Sequence, residues 1–222
     1  MARPREFDEE AALERALDVF WTRGYEATSV DDLCEVTGLS RSSLYATFGG
    51  KRELLLKTVD RYSDRRTPII AAALVRHVAV RDAVAALLKD FIDQIVAGTG
   101  RRGCFLGNCA AELPRSDRPA MARVRAGMAR TEATFREALA RAEAQDELPP
   151  GADVDALARF LTAGIQGLRL VGKVNPDRKT LEDIAATILR CLGPEPASKT
   201  STIHKEGNPR HEPQAKTASP AP

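Results

Sequence analysis

The sequence predicts an all-α protein, and three observations carry that prediction. Apolar residues recur at the three- and four-residue spacing of a helix face along most of the chain up to about residue 193. Runs that alternate β-branched and polar residues between turn signals are missing, and Gly or Pro interrupts the helical stretches where short connections are needed. With 222 residues, 43% of them hydrophobic, the chain can fill one large domain or two small ones.

The first helix follows Asp8, whose carboxylate can accept from open backbone N–H groups, and carries Glu9 and Glu10 in its positive first turn. Leu13, Ala16, Leu17, Phe20 and Trp21 line one face, and Gly24 closes it. The next stretch, YEATSVDDLCEVTGLSRSSLYATFGGKRELLLKTVDRY, divides at its glycines into three short helices. Thr28 or Ser29 caps the first of these, with Asp31 and Asp32 in its opening turn, and Val30, Leu33 and Cys34 turn inward before the stop at Gly38. Ser40 caps the second, Arg41 to Phe48. The third starts at Gly50 or Lys51, runs through Leu54, Leu55, Thr58, Val59 and Tyr62 to about Arg65, and is broken by Pro68.

Further helices are expected over residues 68–77, 80–98, 104–112, 119–145, 153–173 and 180–192, with Pro-Pro-Gly at 149–151 and Asn-Pro at 175–176 as loops. A T-x-x-D pattern from Thr180 to Asp183 reads as the cap of the last helix. Residues 194–222 hold six prolines and no aromatic residue, so a disordered tail is expected there.

A net charge of +2 argues for no particular partner, but local placement does. From Val36 to Arg52 there is no acidic residue, while the neighbouring helices are rich in Asp and Glu. A helix of about eight residues, a Gly-containing turn and a Ser-capped second helix make an arrangement that lets one helix enter a DNA major groove. That second helix exposes Arg41, Ser42, Ser43, Tyr45 and Thr47 as donors, with Ser40 at its start, and keeps Leu44 and Phe48 as anchors. Lys51 opens the following helix, where its ammonium and nearby N–H groups suit a phosphate.

Over residues 6–66 the sequence resembles the TetR family of bacterial transcriptional repressors, through FWTRGYEATSVDDLCEVTGLSRSSLYATFGGKRELL and in particular Phe20, Gly24, Tyr25, Thr28, Val30, Gly38, Ser40, Leu44, Tyr45, Phe48 and Lys51. The resemblance implies an N-terminal helix-turn-helix DNA-binding domain at 1–66, with its recognition helix at Arg41 to Thr47. It implies that Thr28, Tyr45 and Lys51 touch phosphates and that Arg41, Ser42 and Ser43 lie nearest the bases. It further implies a C-terminal helical ligand-binding and dimerisation domain, placed at 67–193, a cytoplasmic and nucleoid-associated bacterial protein, and a small-molecule effector. Cys34 and the Gly49-Gly50 pair depart from the family pattern.

In the C-terminal part, residues 153–173 carry Leu157, Phe160, Leu161, Ile165, Leu168 and Leu170 around Ala163, Gly164 and Gly167, and the glycines point to a close helix contact. Residues 180–192 offer Leu181, Ile184, Ile188, Leu189 and Leu192 as the complement. These two helices complete either the subunit's own core or, with a two-fold mate, a four-helix interface. A dimer makes geometric sense of two half-sites on double-stranded operator DNA.

The stretch RRGCFLGNC places Cys104 and Cys109 five residues apart behind two arginines. Four Cys or His ligands for a metal are not to hand, since His77 is the only histidine before the tail and Cys34 and Cys191 are remote. On a regular helix the two thiols point about 140° apart, so they do not pair without bending. Arg101, Arg102 and a helix start would favour a Cys104 thiolate, which leaves thiol sensing beside plain packing as readings of the site. GCFLGNCAAEL also resembles a subgroup of TetR repressors with a G-C-hydrophobic-hydrophobic-G-N pattern, some of which sense electrophiles or oxidants. Phe91, Ile95, Phe105, Met121, Met128, Phe135 and Phe160 are candidates to line an effector cavity and equally suited to a core.

No nucleotide-binding glycine loop, nucleophile motif or set of catalytic histidines is present, so neither an enzyme nor a cofactor is expected. No stretch approaches the roughly 18 apolar residues of a membrane-spanning helix. The expected function is a DNA-binding repressor released by a small molecule or thiol modification. The alternative is a helical small-molecule or redox sensor without specific DNA binding.

Overall fold

The structure, a computed structural model, describes residues 8–77 and 79–193, so the expected tail at 194–222 lies outside the described residues. Among the described residues there are nine helices and no strand: α1 (Glu9–Arg23), α2 (Val30–Thr37), α3 (Arg41–Phe48), α4 (Lys51–Leu74), α5 (Val80–Val96), α6 (Phe105–Glu112), α7 (Arg118–Glu143), α8 (Val154–Val174) and α9 (Arg178–Arg190).

The caps form where short-range chemistry places them. Asp8 accepts from Ala11 N–H at 3.0 Å. Ser29, not Thr28, caps α2 in a reciprocal box: Asp32 N–H donates to Ser29 Oγ at 3.0 Å, and Ser29 N–H donates to Asp32 Oδ2 at 2.8 Å. Ser40 Oγ accepts from Ser43 N–H at 3.1 Å to start α3. Gly38 and Gly49 end α2 and α3 in the left-handed region at φ 74° and 85°. Gly50 follows at φ 126° without a side-chain cap, which explains why two glycines stand together here.

Two expectations are corrected. The helix begun at Lys51 does not break at Pro68 but runs on to Leu74, absorbing the separate helix expected over 68–77. An interior proline costs about 3 kcal/mol. Beyond it Ile70 and Leu74 are both buried in the core, and full burial of such side chains is worth roughly 1.5–3 kcal/mol each, enough to carry the helix through. The last helix is capped by Asp177, which accepts from Thr180 N–H at 2.8 Å, while Asp183 pairs with Lys179 at 2.8 Å. Asp177 stands three residues ahead of Thr180, within reach of its N–H, and a carboxylate there outcompetes the later pair.

Two apolar clusters form, and they do not follow chain order. One joins the buried faces of α1 to α3 and the first turns of α4 to Cys104, Phe105, Leu106, Cys109, Leu113, Ala120 and Val124, so α6 and the start of α7 pack with the N-terminal head. The other joins the end of α4 to α5, the second half of α7, α8 and α9. α4 belongs to both, running through the boundary expected at residue 66.

Candidate nucleic-acid interface and the groups behind it

α3 lies on the surface with Leu44 and Phe48 buried beneath it. Arg41, Ser42, Ser43 and Tyr45 face outward, and Thr47 is half-buried. The Ser40 hydroxyl lies 2.9 Å from that of Ser42 and 2.8 Å from that of Ser43, so three hydroxyls gather at the positive start of α3. Tyr45 is half exposed. One arginine, three hydroxyls, a phenol and open helix N–H groups make a surface of donors, which is what phosphates and base edges accept from.

Arg41 is engaged in the free protein: its Nη2 donates to Asp31 Oδ1 at 2.6 Å, with both side chains exposed. An exposed pair of this kind is worth about 0–1 kcal/mol, so a phosphate or guanine can displace Asp31 at little cost. Lys51 Nζ sits 4.3 Å from the centre of the Tyr25 ring, which holds the ammonium beside the end of α3. Burial pushes the Tyr25 phenol up, with Glu26 adding to it.

Thr28 is placed differently from the phosphate role that the resemblance implies. It is fully buried, and its hydroxyl donates to Gly24 O at 2.6 Å. It ties the α1–α2 loop and presents no side-chain donor to a ligand.

Among the polar contacts that tie the head to the rest of the chain are several that the sequence did not suggest. Glu112, at the end of α6, accepts from Tyr25 N–H at 2.9 Å and from Glu26 N–H at 2.8 Å, one oxygen to each. Arg52 donates to both oxygens of Asp117, from Nε at 3.0 Å and from Nη2 at 2.6 Å, and this guanidinium holds the Asp117 carboxyl below the usual range. Arg102 pairs with Asp18 at 2.9 Å and stacks 4.1 Å from the centre of the Trp21 ring. Glu112→Ala should raise amide hydrogen exchange at Tyr25 and Glu26 by at least about tenfold, since each loses a charge-assisted bond, while amides of Ala16 and Leu17 keep their protection. Unchanged exchange at Tyr25 and Glu26 would show that the loop holds itself.

The structure separates the effector candidates. Cys104 is buried and immediately precedes α6, 3.7 Å from Tyr62 Oη, and with Phe91 and Phe135 it lines a narrow internal cavity. Phe105 does not line that cavity: it is a core residue between Trp21 and Tyr62. Ile95 is core, Met121 and Met128 pack against the head cluster, and Phe160 stands on the outer face of α8. Cys109 is buried, and burial pushes its thiol up to about 12, which keeps it protonated at neutral pH. Arg101 and Arg102 turn away from Cys104, the first to the Ile95 carbonyl and the second to Asp18. All four cysteines are free thiols.

Sequence reasoning missed three groups in the same cavity, Tyr62, Arg66 and Arg169. A signal was there. Arg66 falls on the stripe of Val59, Tyr62, Ser63 and Ile70, and Arg169 falls four residues after Ile165 and three before Gly172, so each puts a charge on an inward face.

Among the described residues no helix is long and apolar enough to cross a membrane, and no group of three or more His, Cys, Asp or Glu side chains is arranged to hold a metal ion. Residues 12–58 match the family model of bacterial regulatory proteins of the tetR family, and residues 76–188 match the tetracyclin repressor-like C-terminal domain. The HTH-type transcriptional repressor ComR of Escherichia coli (strain K12) is 36% identical over 195 residues, covering 87% of this chain and 92% of ComR. The uncharacterized HTH-type transcriptional regulator YezE of Bacillus subtilis (strain 168) is 33% identical over 185 residues, covering 82% and 95%. A cysteine-substituted form of the TetR family transcriptional regulator CifR, solved in complex with a 26-bp double-strand operator DNA, superposes with a TM-score of 0.76 at 29% identity over 86% of this chain and 100% of that one. The chain belongs to the TetR family of transcriptional regulators, a family of DNA-binding regulators and not of enzymes.

Proposed function

We propose that this protein is a cytoplasmic homodimeric repressor that grips double-stranded operator DNA with α3 and lets go when an effector enters the C-terminal part. The observation that carries this reading is the stretch from Val36 to Arg52, which holds no acidic residue and carries the exposed donors of Ser40, Arg41, Ser42, Ser43 and Tyr45 on and beside α3, with the ring-held ammonium of Lys51 just after it. That CifR was solved in complex with double-strand operator DNA supports such DNA as the partner. Residues 1–66 then form the DNA-reading unit and 67–193 the regulatory unit, with α8 and α9 as the dimer face. That face is open in one subunit: Phe160, Leu170 and Val174 are exposed, and nothing lies within 4 Å of where a Cβ on Gly167 would be.

A gel shift on the protein's own upstream DNA tests the reading. Arg41→Ala and Lys51→Ala should each weaken binding by about 1–3 kcal/mol and, where the contact is to phosphate, lower the salt slope by about 1 per lost contact. Asp31→Ala should strengthen binding severalfold, because Arg41 no longer has to leave an ion pair. No preference of the wild type for its upstream DNA over unrelated DNA of equal length would reject the repressor reading and favour the sensor without specific DNA binding.

A further inference from the structure

Two arginines line one small cavity between α4, α5, α7 and α8, and among the described residues no Asp or Glu lines it with them. Arg169 is only 7% exposed; it donates from Nη2 to Gly103 O at 2.7 Å and from Nη1 to Tyr62 Oη at 3.4 Å, both neutral acceptors. Arg66 is partly buried, and its Nε is sealed from solvent with no hydrogen-bond partner among the described residues. The two guanidinium groups lie 5.0 Å and 5.2 Å from the centre of the same Phe91 ring. Burial is the first cause that pushes the Arg66 pKa down, and repulsion from Arg169 is the second. A guanidinium does not lose its proton in a protein, so both charges stay. One aromatic face offsets only part of their cost, and buried charges are otherwise paired. The acids of the adjoining surface cleft, Glu14 and Asp18, are already engaged by Arg61 and Arg65 and by Arg102.

Size limits what can balance them. The cavity measures about 20 Å³, room for one particle the size of a water, so a polyatomic anion or a ligand with a carbon tail does not fit. Its polar walls narrow the choice further. Ser63, Thr131 and Thr162 spend their hydroxyl protons on the carbonyls of Val59, Gly127 and Ala158 in their own helices. The guanidinium N–H groups, the Thr67 hydroxyl and the Gln166 amide are left as donors for an occupant. We propose that the cavity binds a single halide ion, chloride under ordinary conditions, as the counter-charge of Arg66 and Arg169. A bare halide is close to water in size and brings the negative charge that a water lacks. The surface cleft shares Tyr62 and Arg66 with the cavity and gives the ion a way in. Bound there, the ion ties α4 to α8: Arg66 stands on the helix that begins at the DNA head, and Arg169 stands on α8 and holds the Gly103 carbonyl just ahead of α6.

The site does not depend on the repressor reading, and its test needs no DNA. The full chain is exchanged into sodium glutamate, and chloride or bromide then replaces glutamate at constant ionic strength while thermal melting is followed. Both halides should raise Tm saturably, by about 3–6 °C at a tenfold excess over Kd, whereas sulfate, too large for the cavity, should give no saturable rise. Arg66→Met removes one cation and keeps an apolar stem, and it should weaken halide binding at least about tenfold. Crystals of the full chain grown in sodium bromide supply the second measurement. An anomalous bromine peak is expected inside the cavity, beside Arg66 and Arg169, and this alone decides if Arg66→Met does not fold. No saturable rise with either halide, an equal rise in Arg66→Met, an equal rise with sulfate, or a cavity that holds a water and no bromine peak would each overturn the site.

Discussion

A Phe160→Glu, Leu170→Glu double variant should sediment as a monomer and lose operator affinity by at least about a hundredfold, the gain that linking two half-site contacts supplies. Phe160 is 41%, Leu170 64% and Val174 83% exposed in a single subunit, and with Gly164, Gly167 and Val171 they fall on one side of α8. α9 continues that side with Ile184 and Ile188, the latter lying 3.0 Å from where a Cβ on Gly164 would be. An apolar face of this kind marks an interface, and a two-fold mate presents the same face to it. Two carboxylates per subunit would then meet their own copies across a dry contact. The circular dichroism spectrum should not change, because neither side chain holds the subunit's own core. A dimer that persists at micromolar concentration, with operator affinity unaltered, would place the dimer surface elsewhere.

Phe105→Ala should cost about 3–5 kcal/mol, the usual loss for a buried phenylalanine, and with it roughly 10 °C of Tm. The ring is 1% exposed, with the Trp21 ring centre at 6.2 Å and the Tyr62 ring centre at 5.6 Å, so truncation leaves a cavity where α1, α4 and α6 meet. Chemical denaturation measures the loss. A cost below about 1 kcal/mol would mean that the site collapses around the smaller side chain and that Phe105 is free to shape a ligand pocket after all.

What the sequence made legible was local. Asp8, Ser40, Gly24 and Gly38 act within a turn of where they stand, and the helix-turn-helix follows from them. What it hid depends on partners far along the chain. Pro68 is a break by its own chemistry, and only the burial of Ile70 and Leu74 against other helices overrides it. Thr28 has a side chain fit for a phosphate, but the fold spends it on the Gly24 carbonyl. Arg41 stands among donors, and nothing nearby in sequence shows that Asp31 meets it. Phe160, read as a cavity candidate, belongs outside because α8 turns that face away from α7. Arg66 and Arg169 were readable as charges on inward faces, but not as a pair, since they are brought together only by the packing of α4 against α8 through α7.

The division of the apolar interior has a consequence for anyone cutting this chain. A fragment ending at residue 66 would keep α1 to α3 but lose Phe105, Leu106, Cys109, Leu113, Ala120 and Val124, the side chains that close its underside. It would be a lid without a box. The DNA-reading end is therefore not an interchangeable cassette: a chimera that transplants it onto another body must bring residues 104–124 along, or supply a matching surface in their place.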